Sequence, residues 1–246
     1  MKIVAHRGNG PGFKELTRAG YEHALSLPIH GVETDVRLCR SGELVLHHDA
    51  RLGRTDVGIN GVARISGLSL EQLRRINFGT RANPQEILTL PEMLGLIKDA
   101  GDKHLYLEIK KPTRYGRMLE EQVTRALAYA GLRDDERIHI ISFSHTCLRR
   151  MAELTPALDR FYLRGARDFK YNPKDIMFSK PTGLGMDHRV AKLRPELVGA
   201  LGLPTYLWTP NTPADLLAAR DAGADIITTD DAELALEVFA PANARV

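Results

Sequence analysis

Eight short runs rich in β-branched and aromatic residues recur along this chain, at 3–6, 31–36, 105–110, 138–143, 160–163, 183–187, 204–208 and 225–229, with helical periodicity between most of them. That alternation predicts a parallel sheet, because a parallel neighbour is reached only through a crossover, usually a helix. Eight such units within 246 residues match the size of one closed (β/α)8 barrel. A ninth candidate, at 43–48, stands outside the repeat. The rival doubly wound sheet requires a Gly-x-Gly-x-x-Gly turn after a strand. Gly8-Asn9-Gly10 supplies two of its glycines, but Phe13 stands where the third belongs. The expectation is α/β, a single TIM barrel forming one domain over 1–246.

Local signals agree with that plan. Residues 14–27 read as a helix with Leu16, Ala19, Tyr21, Ala24 and Leu25 toward one side. Ser69-Leu70-Glu71-Gln72 and Thr89-Leu90-Pro91-Glu92 fit the capping box, in which cap side chain and third residue satisfy each other's backbone donors. Thr212, Pro213 and Gly223 bracket a later helix. The stretches 81–85 and 171–175 read as loops, and 50–68 as the longest irregular excursion.

Composition narrows the function classes. With 34 Lys and Arg against 31 Asp and Glu, the net charge of +3 has no long like-charge block behind it, so neither nucleic acid nor a membrane surface is an expected partner. Cys39 and Cys147 are too few for a disulfide framework; reduced thiols are expected, with a single bridge left open. No secretory signal opens the chain and no long apolar run interrupts it, so a cytoplasmic protein without stable membrane insertion is expected. The oligomeric state is open.

Charged residues on the predicted strands point to a site. Glu33 and Asp35 are two apart and share one strand face, as do Glu108 and Lys110 within an otherwise apolar run. If Ser41-Gly42 is a two-residue hairpin turn, Asp35 faces His48, Glu33 faces Ala50, and His47 points away. A pair such as Glu33 and Asp35 alone suits the solvent face of a half-exposed strand. Glu108 on an apolar strand does not, since a buried carboxylate is costly unless paired or bound to a cation. Three carboxylates at strand ends make an oxygen site suited to Mg²⁺ or Ca²⁺ rather than zinc.

The ordered set HRG, ELT, GVETDV, SGELVLHHD, RLGRT, LYLEIKK, ISFS, LWTPN and ADIITTD, spanning about residues 3–231, resembles the glycerophosphodiester phosphodiesterases, a PLC-like TIM-barrel family. The resemblance implies metal-dependent cleavage of a small glycerophosphodiester to glycerol 3-phosphate and an alcohol. It implies His6 and His48 as the proton-transfer pair, Arg7 against the phosphate, and Glu33, Asp35 and Glu108 as ligands of Mg²⁺ or Ca²⁺. Lys110 adds a second positive charge, and Trp208 either packs the glycerol backbone or fills the barrel rim. The sequence departs from the family's Pro-Glu-Asn/His-Thr box at Lys14 and Leu16, and from its later motifs at Ser144 and Ala232. His23, His30, His104, His139, His145 and His188 read as structural or surface residues.

Several alternatives stand open at this point. Either histidine could be the acid, and the nucleophile is the glycerol 2-hydroxyl or water. A lysophospholipase D would need an apolar entrance, for which 231–240 is the one candidate. A catalytically silent barrel that binds phosphate or a partner is the reading from another class.

Overall fold

The computed structural model describes residues 1–57, 63–165 and 172–240. Eight strands run parallel: β1 (Lys2–Ala5), β2 (Gly31–Leu38), β4 (His104–Ile109), β5 (Ile138–Ser142), β6 (Asp159–Arg164), β7 (Gly183–Asp187), β8 (Thr205–Trp208) and β9 (Ile226–Thr229). They pair in the order β1-β9-β8-β7-β6-β5-β4-β2, and β1 pairs with β2 to close the barrel. The ninth run forms β3 (Leu44–Leu46), antiparallel at the edge of β2. The barrel expectation is met, with each expected strand within about two residues of its place.

The helices are α1 (Arg18–Ser26), α2 (Leu70–Arg74), α3 (Leu90–Asp99), α4 (Met118–Ala130), α5 (His145–Leu154), α6 (Pro173–Ser179), α7 (His188–Leu193), α8 (Pro213–Asp221) and α9 (Ala232–Phe239). Both capping boxes form: Ser69 with Gln72 opens α2, and Thr89 with Glu92 opens α3. Thr212 caps α8, with Pro213 in its first turn.

Three expectations need correction. The helix expected from 14 begins at Arg18, since Leu16 takes a left-handed φ of 58° and Thr17 becomes the cap. Pro173 opens a helix where a loop was expected; Asn172 caps it, so the Asn-Pro pair is a helix start rather than a break. Residue 171 and residues 58–62 of the long excursion lie outside the described residues. The hairpin register is one residue out, with Val36 opposite Leu46 and Leu38 opposite Leu44. The turn is longer than two residues because Cys39 N–H still bonds to the Glu43 carbonyl and Gly42 N–H to that of Cys39.

Two apolar compartments follow from the period-2 alternation of strands wrapped by helices. One lies between barrel and helices, where Val32, Leu105, Leu107 and Ile140 meet Leu94, Ile97, Val123 and Leu148. The other fills the barrel with Val4, Tyr106, Ile141, Phe161, Leu163, Tyr206 and Ile226. Tyr106, Phe161 and Tyr206 have ring centroids between 5.4 and 6.1 Å apart and plug its middle. Cys39 and Cys147 are buried and free. Among the described residues, no helix is long and apolar enough to cross a membrane.

The plug needs room that β7 provides: a Cβ at Gly183 would overlap the Phe161 ring, and one at Gly185 would overlap Leu163. Gly183→Ala should therefore destabilise the chain by about 1–3 kcal/mol. Adding Phe161→Leu should recover part of the loss, as read by urea unfolding.

Candidate active site

The first strand delivers its histidine to the barrel mouth by stopping. After Ala5, His6–Gly8 forms a single tight turn in which Arg7 has φ 55° and Gly8 φ 64°. Any Cβ at Gly8 would press on the Tyr21 ring, whose hydroxyl donates to Thr34 Oγ1 at 2.6 Å. Glycine is thus required by both space and φ. The turn aims His6 inward: its Nδ1–H donates to Asp230 Oδ1 at 2.7 Å, and its Nε2 stands 3.9 Å from Glu33 Oε2. Asp230, at the end of β9, also accepts from Asn9 Nδ2 at 3.2 Å and Asn211 Nδ2 at 2.6 Å. These donors hold its carboxyl well below the usual carboxylate range against the opposing effect of burial.

The parallel register of β2 and β4 puts Asp35 beside Glu108, with Glu33 one inward step deeper. All three are buried, and one oxygen from each lies within 4.8 Å of the others. Lys110 Nζ stands 2.8 Å from Asp35 Oδ1 and 2.7 Å from Glu108 Oε1. Arg7 presents its Nε 2.9 Å from Asp35 Oδ2, its backbone N–H to Glu33 Oε2 at 3.1 Å, and Nη1 to Glu15. Two cations therefore face three carboxylates in the core of the cluster. Burial and the neighbouring Asp35 push Glu33 up, burial pushes Glu108 up to about 7, and Lys110 and Arg7 outweigh burial to pull Asp35 down.

That charge pattern fits a divalent cation. Neither Asp35 oxygen has an aligned hydrogen-bond donor among the described residues, despite the short ion pairs. An all-oxygen donor set with unused lone pairs is what a hard ion such as Mg²⁺ or Ca²⁺ takes.

His48 arrives by a different route from the one expected. In the observed register Asp35 lies opposite His47, whose N–H bonds to the Asp35 carbonyl. The chain leaves the ladder after Leu46, however, and His47 turns back to pack edge-on against Phe78. Arg37 then grips the His48 carbonyl from Nε and Nη2 at 3.0 and 2.5 Å, placing His48 at the mouth. His48 Nδ1–H donates to Asp49 Oδ1 at 2.8 Å, and Arg54 links Asp49 to Glu15. Burial, with Lys110 and Arg7 nearby, pushes His48 down to about 4.

His6, Arg7, Glu33, His48, Glu108, Lys110 and Trp208 line one cavity of about 140 Å³. Asp35 is fully buried beneath it. Trp208 meets Phe143 edge-on at 5.6 Å on the rim. The eight residues picked from the sequence thus converge on one end of the barrel. Asp230, Asn211, Asp49 and Arg54 were missed, although the first two end the ADIITTD and LWTPN segments. The departures at 14–17 are accommodated: Lys14 Nζ bonds the carbonyls of Thr55 and Gly79, Thr17 caps α1, and Leu16 is buried at a left-handed φ that ordinarily favours Asn.

The sequence profile of the glycerophosphoryl diester phosphodiesterase family matches residues 6–234. A probable glycerophosphodiester phosphodiesterase 1 of Mycobacterium tuberculosis is 30% identical over 245 residues, covering 92% of this chain and 88% of that protein. A glycerophosphodiester phosphodiesterase of Caldanaerobacter subterraneus is 30% identical over 240 residues, covering 94% of each. Among solved structures, a phosphodiesterase of Oleispira antarctica in complex with the product sn-glycerol-3-phosphate superposes with a TM-score of 0.85 at 23% identity, covering 96% of this chain and 97% of that one.

The raised Glu108 has a consequence for stability. A carboxyl whose folded pKa exceeds its unfolded value contributes stability below the unfolded value, near 4.5, and loses it as pH rises toward about 7. Glu108→Gln should flatten the fall in unfolding free energy across that interval, measured by urea titration of the cation-free protein at several pH values.

Proposed function

The chain belongs to the glycerophosphoryl diester phosphodiesterase family, and we propose that it cleaves small glycerophosphodiesters to glycerol 3-phosphate and an alcohol, with His6 and His48 moving the protons. Membership makes it a phosphoric diester hydrolase. One observation carries the finer reading: two imidazoles on one small cavity each have Nδ1 engaged by a separate carboxylate, Asp230 or Asp49. Each is thereby fixed in one tautomer, with Nε2 as the nitrogen that exchanges a proton with a bound diester.

The roles divide by environment. His48, pushed down to about 4, is neutral at neutral pH and accepts the proton of the attacking group, which is either the glycerol 2-hydroxyl, whose cyclic phosphate water then opens, or water itself. His6, its Nδ1 held by Asp230 Oδ1 at 2.7 Å, turns Nε2 to the cavity and is the donor to the departing alkoxide oxygen. Lys110 and Arg7 offset the acid cluster so that an anionic diester can approach it. A divalent cation held by Glu33, Asp35 and Glu108 supplies Lewis-acid polarisation of a phosphoryl oxygen when bound. The product complex of the Oleispira protein supports glycerol 3-phosphate as the part of the substrate held here.

Cavity size favours a small polar substrate. At about 140 Å³ the site is below the ~300–1,000 Å³ of pockets that enclose drug-sized ligands. Trp208 and Phe143, which meet at the rim of this cavity, are the surfaces against which the glycerol backbone and the alcohol group would lie. The segment 231–240 provides no lipid entrance, because α9 packs on β1 and α8 with Ala232 and Ala235 buried. Free, buried Cys39 and Cys147 accord with a reducing, cytoplasmic setting.

Glycerol 3-phosphate release should be followed from glycerophosphocholine and glycerophosphoethanolamine with Mg²⁺, with Ca²⁺ and after chelation. Release should require a cation and fall by about 10²–10⁴-fold in His48→Ala. Equal release from the variant, or no release with either cation, would remove the assignment.

A further inference from the structure

The amino-terminal end of the same barrel holds a second set of ligand side chains, which the hydrolase reading leaves unused. His30 precedes β2, His104 begins β4 and His139 lies within β5. The parallel register gathers them, pairing Gly31 with His104 and Tyr106 with His139. The His30 and His104 rings stack at 3.9 Å between centroids, and those of His104 and His139 at 5.1 Å. One nitrogen from each histidine lies within 4.8 Å of the other two.

A histidine serving only as core filling spends its nitrogens on hydrogen bonds. These three share one, between His104 Nδ1 and His139 Nε2 at 2.8 Å. Among the described residues, buried Nε2 of His30 and Nδ1 of His139 complete none. Asp159 Oδ2 faces that Nδ1 at 3.5 Å. The geometry points to a second cation site, in which His30, His104 and His139 bind a late first-row divalent cation, foremost Zn²⁺, with Asp159 backing His139.

The chemistry is consistent. Imidazole donors suit zinc, copper or nickel, whereas the carboxylates at the opposite mouth suit a hard ion. Binding takes the lone pairs of His104 Nδ1 and His139 Nε2, so the proton they now share moves to the outer nitrogen of a ring. At His139 that nitrogen faces Asp159, giving the carboxylate–histidine–metal arrangement that orients metal-bound imidazoles. Tetrahedral bonds of about 2.0–2.1 Å separate donor nitrogens by about 3.3 Å, so the 2.8 Å contact opens by about half an ångström.

The surroundings disfavour protonation of His30 and His104. Burial together with Lys2, Lys103, Arg137 and the other rings holds His30 at about 3 and His104 at about 4, with Asp102 opposing at His104. Lys103 is itself anchored on the carbonyls of Leu27 and Ile29, which steadies the approach to His30. Arg137 is paired with Asp135, and Lys2 is exposed at the start of β1.

The test uses the full chain, stripped by chelation and held in excess Mg²⁺ to occupy the carboxylate end. Titration with Co²⁺ should give the visible absorption of a four-coordinate ion, saturating at one equivalent and displaced by Zn²⁺. The signal should vanish in His104→Gln and in half-exposed His30→Gln, and persist in Glu108→Gln. Zn²⁺ at about a hundredfold excess over Kd should raise Tm by about 5–10 °C in the native chain and not in His30→Gln. Because His30 lies far from the catalytic cavity, that variant should keep its circular dichroism and its hydrolysis of glycerophosphocholine, which shows that it folds. No absorption from the native chain, or absorption that survives in His30→Gln, would overturn the site; absorption lost in Glu108→Gln alone would reassign it to the carboxylates.

Discussion

Everything at the catalytic mouth depends on the burial of Glu33, Asp35 and Glu108 at the carboxyl ends of two adjacent strands. Three buried carboxylates side by side cannot all remain ionised without compensation. The chain compensates incompletely, with Lys110 bridging Asp35 and Glu108 and Arg7 spanning Asp35 and Glu15. Burial, with the neighbouring Asp35 charge added, raises the pKa values of Glu33 and Glu108. In the proposed reading, a divalent ion held by this cluster would make up the missing positive charge and let an anionic substrate approach. The strained Arg7 backbone, with Gly8 pressed on Tyr21, is what places the first guanidinium there.

The barrel interior is layered, and the layers keep the chemistry at its two ends separate. The three acids, His6 and His48 occupy the carboxyl end, Tyr106, Phe161 and Tyr206 fill the middle, and the three stacked histidines occupy the amino end. The plug is buried and aromatic, so it separates the two polar layers while raising the cost of leaving either unpaired. Gly183 and Gly185 belong to this scheme, since their missing side chains are the space the plug occupies.

Strand count, helix caps and the grouping of Glu33, Asp35 and Glu108 were legible because each follows from local pattern: period-2 alternation, cap spacing and strand-end position; His6 joins them through the family resemblance. The path of His48 was not. Its proximity to the acids does not come from the ladder, as the one-residue register shift shows, but from Arg37 gripping its carbonyl after β3 ends. Asp230 and Asn211 sat in recognisable segments, yet the bond from His6 to Asp230, which Asn211 supports, depends on β1 and β9 being neighbours, which is a property of closure and not of spacing. The histidines at 30, 104 and 139 carry no motif at all. Only the parallel register of β2, β4 and β5 brings them together, so as isolated residues they read as structural.

The central claim is that the buried acid cluster needs a cation before the mouth can hold an anionic headgroup. Calorimetric binding of glycerol 3-phosphate to the native chain and to Asp35→Asn, with Mg²⁺ or Ca²⁺ and after chelation, tests it most directly. The account predicts binding to the native chain that depends on the cation, and weak binding to the variant under every condition. Equal affinity of the native chain with and without cation would contradict it, and would mean that Arg7 and Lys110 already balance the site by themselves.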